Sequence, residues 1–117
     1  MEFKELELLV IQWAKEKGIL EKATPLAQAN KTLEEINELL EACNAQNKGL
    51  SCFYNIKNKL VDTKHEIKDA IGDVLVTIII QSEMQGLRIE DCLQSAYDVI
   101  SKRTGKIIDG QFVKDND

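Results

Sequence analysis

An all-α fold, a four-helix type of bundle followed by a small C-terminal β-hairpin, is what this chain predicts. Apolar residues recur at three- and four-residue steps through four segments, the pattern of helices with one buried face. Aromatic residues make up 5% of the chain and there are one Pro and six Gly, too few for a sandwich of many short strands. Glycine-containing breaks separate the segments, and an Asp-Gly pair near the end is flanked by apolar residues.

The first helix runs from Phe3 to about Lys17, with Phe3, Leu6, Leu9, Val10, Trp13 and Ala14 on its apolar face and Gly18 as its stop. Thr24-Pro25 starts the second: Thr caps, and Pro occupies the first turn, where a missing N–H costs nothing. This helix extends to about Ala45, and Asn47-Lys48-Gly49 breaks it. Leu50 to Val61 reads as a loop with room for a short helix. Thr63-Lys64-His65-Glu66 matches a capping box, so the third helix begins at Thr63, with Glu66 reaching back, and runs to about Gln85 before Gly86. From Val74 to Ile80 it has almost no polar side, which makes it central or shared with another subunit. A fourth helix spans Glu90 to Arg103, Gly105 closes it, and residues 107–113 form a hairpin around Asp109-Gly110. Residues 114–117 read as a frayed tail, and the whole of 1–117 as one domain.

Charge and cysteine content narrow the function. The net charge is −5 and the fifteen basic residues form no run, which argues against nucleic acid as a partner. Cys43, Cys52 and Cys92 contain no C-x-x-C pair and the only histidine is His65, so a structural zinc site is not expected. The thiols read as reduced and mostly core-facing in a cytoplasmic protein. The N-terminal segment is acidic and amphipathic, unlike a signal peptide, and VLVTIII is far shorter than the ~20 residues that span a bilayer, so no membrane partner is expected.

Two acidic clusters carry the chemistry. Glu34, Glu35, Glu38 and Glu41 lie on the second helix, and Glu66, Asp69 and Asp73 on the third, each at steps that place them on one face. Rows of like charge facing one another are costly unless a multivalent cation neutralises them. With no His or Cys companions, the donors suit a hard cation, Mg²⁺ or Mn²⁺, rather than zinc. Such an ion bridges phosphate oxygens and activates water, which fits hydrolysis of a phosphoanhydride. Glu34 and Glu41 read as solvated surface; Asp69 and Asp73 flank the most apolar helix and are poor helix-interior residues, so they point to a use.

At these residues the chain resembles the MazG-like nucleoside triphosphate pyrophosphohydrolases, an all-α superfamily marked by E-x-x-E on one helix and E-x-x-D on the next long one. Glu35-x-x-Glu38 in LEEINEL matches the first motif, and Asp73 in DAIGDVLV occupies the Asp of the second. The likeness continues from QWAKEKGIL through AYDVISKRTGK to DGQFVK, as in small phage and bacterial members. One position departs from the pattern: Ala70 stands where the motif has Glu. Asp69 and Glu66 are the available substitutes, and Asp69 is preferred because the capping box engages Glu66.

The resemblance implies Mg²⁺-dependent cleavage of a nucleoside triphosphate between its α and β phosphates, giving monophosphate and pyrophosphate. It implies Glu35, Glu38, Asp69 and Asp73 as metal ligands, Glu35 and Glu38 as the catalytic pair, and Lys31, Lys102 and Arg103 as substrate contacts. Lys102 and Arg103 also suit a helix C-terminus in their own right. Trp13 is placed for stacking on a base or for the core. Phosphoribosyl-ATP pyrophosphohydrolase and dimeric dUTPase share the acidic pattern, and a catalytically weak module that binds nucleotide or protein is the alternative of another class. The apolar third helix adds a homodimer or homotetramer to the expectations.

Overall fold

The computed structural model describes residues 1–115. Its order is α1 (Phe3–Glu16), α2 (Ile19–Lys22), α3 (Pro25–Asn47), β1 (Cys52–Tyr54), β2 (Leu60–Asp62), α4 (Thr63–Met84), α5 (Ile89–Ile100), β3 (Gly105–Ile108) and β4 (Gln111–Lys114). The all-α architecture with a C-terminal hairpin is the one the sequence predicts.

Local chemistry explains most of the boundaries. Gly18 adopts φ 77° after α1, and the chain then makes the single turn of α2, which the sequence pattern did not indicate. Thr24 Oγ1 accepts from Ala27 N at 3.1 Å and caps α3 as expected. Both long helices end in the same motif: Leu50 N donates to Ala45 O and Gly49 N to Gln46 O after α3, while Leu87 N donates to Ser82 O and Gly86 N to Glu83 O after α4. The left-handed turn this requires is supplied by Gly49 and Gly86.

Three local expectations are corrected. In place of the loop with a short helix expected over 50–61, the chain forms strands β1 and β2, paired antiparallel with Cys52 opposite Asp62 and Tyr54 opposite Leu60. The turn is closed by Asn55, whose Oδ1 accepts from Lys57 N and Lys59 N, and by Asn58 in the left-handed region. Thr63 is not the cap of α4: Asp62 is, its Oδ2 accepting from His65 N at 2.9 Å. Thr63 is buried and donates to Leu50 O at 2.8 Å, tying the end of α3 to the start of α4, so Glu66 has no cap to complete. Lys114 belongs to β4 and Asp115 is bonded to Thr104, so these two residues are not a frayed tail; residues 116 and 117 lie outside the described residues. The C-terminal hairpin turns at Asp109 and Gly110, both at positive φ, as a type I′ turn demands.

α3 and α4 form an antiparallel pair, and small residues let them approach closely. Ala42, Ala45 and Ala70 are buried in the seam, and Thr32 Oγ1 donates to Thr77 Oγ1 at 2.8 Å across it. Gln28 and Gln81 bond the opposing backbones through Thr77 O and Pro25 O. α1 packs on α4 with Ala14 fully buried, and its Glu7, 2% exposed, accepts from Arg88 Nη2 at 2.9 Å. Among the described residues, no large side chain is completely buried. Leu33, Ile36 and Leu40 on α3 and Ile71, Leu75 and Ile78 on α4 form second apolar faces that no described residue covers, and α5 contributes no buried residue. Cys43, Cys52 and Cys92 are exposed, contrary to the core-facing expectation.

Candidate metal centre

The register of α3 on α4 sets the carboxylates face to face. Thr32 meets Thr77 in the seam; in an antiparallel pair, Glu35, one turn after Thr32, then stands beside Asp73, one turn before Thr77. Glu35, Glu38 and Asp73 each offer one oxygen, and these oxygens all lie within 4.8 Å of one another.

The electrostatics of the group are unfavourable without a cation. Glu35 has a side chain only 13% exposed, and its Oε2 is buried with no hydrogen-bond partner. Burial first, then the hydrogen bond and charge of Glu38, raise the Glu35 carboxyl above the ordinary range, while Lys31 partly offsets them. Burial also leads for Asp73, followed by the charges of Glu35 and Asp69, and again the carboxyl is raised. An orphaned buried oxygen, an all-oxygen donor set and mutual repulsion are the conditions a hard divalent cation resolves, so the residues present fit one.

The other sequence-derived candidates fall in different places. Asp69 Oδ2 lies 3.3 Å from His65 Nε2 on the exposed side of α4, outside the three-carboxylate group, although its charge reaches Asp73. Glu66 lines a small cavity of about 110 Å³ with Glu38, Glu41 and Lys57 beneath the β1–β2 hairpin. Lys31 is at the group: its Nζ pairs with Glu34 at 3.1 Å and Glu35 at 3.5 Å, and these partners, the Glu34 hydrogen bond first, raise its pKa. Lys102 and Arg103 instead line a cavity of about 320 Å³ with Lys114 and Asp115 at the foot of the C-terminal hairpin, sharing no residue with the carboxylates.

The sequence reading favoured the core for Trp13, with base stacking as its other role, and missed the polar seam between α3 and α4. Trp13 is 47% exposed and lines a cavity of about 270 Å³ together with Glu35, Asp73, Lys31 and Gln28, so it stands beside the carboxylates rather than in the core. Its i, i+3, i+4 pattern with Leu9 and Val10 is the same for either role, so no signal in the sequence separates them. The Gln28–Thr77–Thr32 network that sets the register had no sequence signal either, since isolated polar residues in a helix read as solvated surface. Among the described residues, no helix is long and apolar enough to cross a membrane.

In the comparison with protein families, the model of the MazG nucleotide pyrophosphohydrolase domain fits residues 23–108. That span contains α3 and α4 and with them all three converging carboxylates. Comparisons with curated proteins and with solved structures give no match.

Proposed function

The chain belongs to the MazG nucleotide pyrophosphohydrolase family, and we propose on that premise that it is a Mg²⁺-dependent enzyme cleaving nucleoside or deoxynucleoside triphosphates between the α and β phosphates. The observation that carries this reading is the convergence of Glu35, Glu38 and Asp73 around an unpartnered buried oxygen, opposite a cation that already faces them, Lys31.

In the proposed site Glu35, Glu38 and Asp73 would hold the ion, and Asp69, which faces His65 on the exposed side of α4, adds its negative charge at Asp73 in place of the glutamate missing at Ala70. A bound Mg²⁺ supplies charge neutralisation for the triphosphate and acidifies a water. Lys31 binds a phosphate oxygen, moving from its pairs with Glu34 and Glu35 when a more negative partner arrives. One of the two glutamates takes the proton of the attacking water, whose in-line approach to the α-phosphorus leaves pyrophosphate as the departing group.

The working form is proposed to be a homodimer or a pair of dimers. The single chain exposes 9119 Å², where a compact monomer of 13.2 kDa exposes about 6,400 Å². Its radius of gyration is 16.9 Å against about 13 Å for that length. The excess of about 2,700 Å² per chain, about 5,400 Å² over a pair, is of the size an obligate interface buries. Lys102 and Arg103 are proposed to meet the phosphates in that assembled form. Residues 1–117 act as one domain in this reading, in the cytoplasm, on the nucleotide pool.

A panel of the eight common nucleotides tests the proposal. Pyrophosphate is expected as the first product with Mg²⁺ or Mn²⁺, and no turnover in EDTA. Orthophosphate as the first product contradicts the cleavage site, and absence of turnover with both metals favours a nucleotide-binding module of the same fold.

A further inference from the structure

Two cavities flank the carboxylate group along the α3–α4 seam, and they share no lining residue. The lining of one includes Lys31, Glu35 and Asp73. The other, of about 110 Å³, lies beneath the β1–β2 hairpin and is lined by Glu38, Glu41 and Glu66, with Asn55 and Lys57 on the hairpin side. Lys31 stands one turn before Glu35, and Glu38 nearly one turn after it, so the cavities meet the group from opposite ends, about 10 Å apart along α3.

Their charges differ in the way an in-line displacement needs. Lys31 marks the first cavity as the side of the phosphates. The second sets three glutamates against one lysine, which repels a phosphate chain and leaves water free to enter. Its volume lies far below the ~300–1,000 Å³ of pockets that enclose ligands, yet it has room and polar partners for a few waters. A nucleophile that attacks phosphorus opposite the leaving pyrophosphate therefore comes from this side.

Two of its glutamates are placed to handle that water. Glu38 is the one converging carboxylate that also lines this cavity, whereas Glu35 turns an oxygen into the protein, where it has no partner. Glu66 reaches the cavity from the opposing helix and is uncommitted: Asp62 caps α4, and none of the ion pairs among the described residues involves Glu66. Glu41 follows Glu38 by three residues on the same helix face, so of the lining carboxylates Glu66 is the one across the cavity from Glu38. The roof is held in place, since Asn55 Oδ1 accepts from Lys57 N and Lys59 N at 3.0 Å each and Thr63 N donates to Ser51 O at 3.0 Å.

We propose that the cavity beneath the β1–β2 hairpin supplies the attacking water, that Glu38 is the glutamate that takes its proton, and that Glu66 is the residue that positions it. The inference rests on the pyrophosphohydrolase reading. The water donates one O–H to Glu38 and turns the other toward Glu66, which leaves a lone pair aimed at the α-phosphorus. Its oxygen bonds to that phosphorus, and the bond from the phosphorus to the α,β-bridging oxygen breaks. Pyrophosphate departs with the electron pair toward the Lys31 side, and the proton ends on Glu38. Without Glu66 the water keeps its base and loses its orientation.

Glu66→Leu keeps the bulk and removes the acceptor, and Glu66→Gln keeps a weaker acceptor. With a triphosphate that the wild type cleaves, Glu66→Leu is expected to lower kcat about hundredfold at a KM within about twofold of wild type, and Glu66→Gln to recover kcat to within about tenfold. The rise in Tm that Mg²⁺ produces should be undiminished in both variants, which reads the fold and the ligands independently of turnover. Wild-type kcat in Glu66→Leu overturns the proposal. Loss of the Mg²⁺ shift in either variant does so too, because Glu66 would then be a ligand, and so does a Gln variant no faster than the Leu variant, because a positioning acceptor tolerates an amide oxygen. A wild type that shows the Mg²⁺ shift and releases no pyrophosphate removes the enzymatic reading and the role of the water with it, whereas a wild type that turns over alongside equally active variants removes the role of Glu66 alone.

Discussion

Replacing Glu35 by glutamine sets stability against function. In the metal-free protein this carboxyl is 87% buried by side-chain area, given its 13% exposure, its Oε2 has no partner, and Glu38 crowds it. A buried polar atom without a partner costs about 1–3 kcal/mol. A glutamine there carries no charge, and its amide has the Glu38 carboxylate as an acceptor, so recovering about 1 kcal/mol of the lower part of that range is expected. For 117 residues the entropy of unfolding is about 0.25 kcal/mol/K, so Tm in EDTA should rise by about 4 °C at fixed protein concentration. The wild type should gain about 2.7 kcal/mol, roughly 10 °C, from Mg²⁺ at a hundred times its Kd, and Glu35→Gln should gain almost none while losing turnover. Differential scanning calorimetry with EDTA and with Mg²⁺ reads both quantities. A variant less stable than wild type in EDTA, or one that keeps the Mg²⁺ shift, refutes the reasoning, because Glu35 would then be a structural carboxylate rather than a ligand.

Other consequences follow from the same contacts. Glu35 and Asp73 have carboxyls raised in the fold, so the native state holds protons that the unfolded chain releases. Metal-free stability should therefore fall as pH rises from about 4 through the raised values, and Mg²⁺ should cancel the fall; a metal-free Tm that climbs across that window would show the carboxylates to be favourably paired. Arg88→Met leaves the buried Glu7 carboxylate without its 2.9 Å partner and should cost about 2 kcal/mol, measured by urea unfolding; a change under about 0.5 kcal/mol would mean water replaces the guanidinium. Lys31→Met should raise KM for the triphosphate about tenfold, and an unchanged KM would take Lys31 out of the substrate site. Leu40→Asp or Leu75→Asp, on the uncovered faces of α3 and α4, should halve the mass in sedimentation, and a wild type that sediments as a monomer removes the dimer.

The helices and the E-x-x-E pair were legible because periodicity and capping are local signals. Thr24-Pro25 fixed the start of α3, and Gly49 and Gly86 the ends of α3 and α4, through contacts within a few residues. The β1–β2 hairpin was not legible, since strands of three residues leave no alternation to read and Asn55 closes the turn through its side chain. Thr63 and Asp62 are both capping residue types, and which one caps depends on the long-range bond from Thr63 to Leu50 O. For the site, Glu35, Glu38 and Asp73 emerge from spacing, but the partner of Asp69 is His65, and Ala70 faces the seam. Whether Trp13 is core or cavity wall depends on how α1 lies on α4, which no local pattern encodes. The exposed thiols were not legible either, since a free cysteine reads as core-facing from its residue type alone.

Isotope labelling decides where water attacks. Hydrolysis of a nucleoside triphosphate in H₂¹⁸O with Mg²⁺, followed by mass spectrometry of both products, should place the heavy oxygen in the monophosphate and leave pyrophosphate unlabelled, as attack on the α-phosphorus by the water that Glu35, Glu38 and Asp73 organise requires. Label in pyrophosphate would move the attack to the β-phosphorus, and label in orthophosphate would move it to the γ-phosphorus; either result contradicts the mechanism built on these three carboxylates.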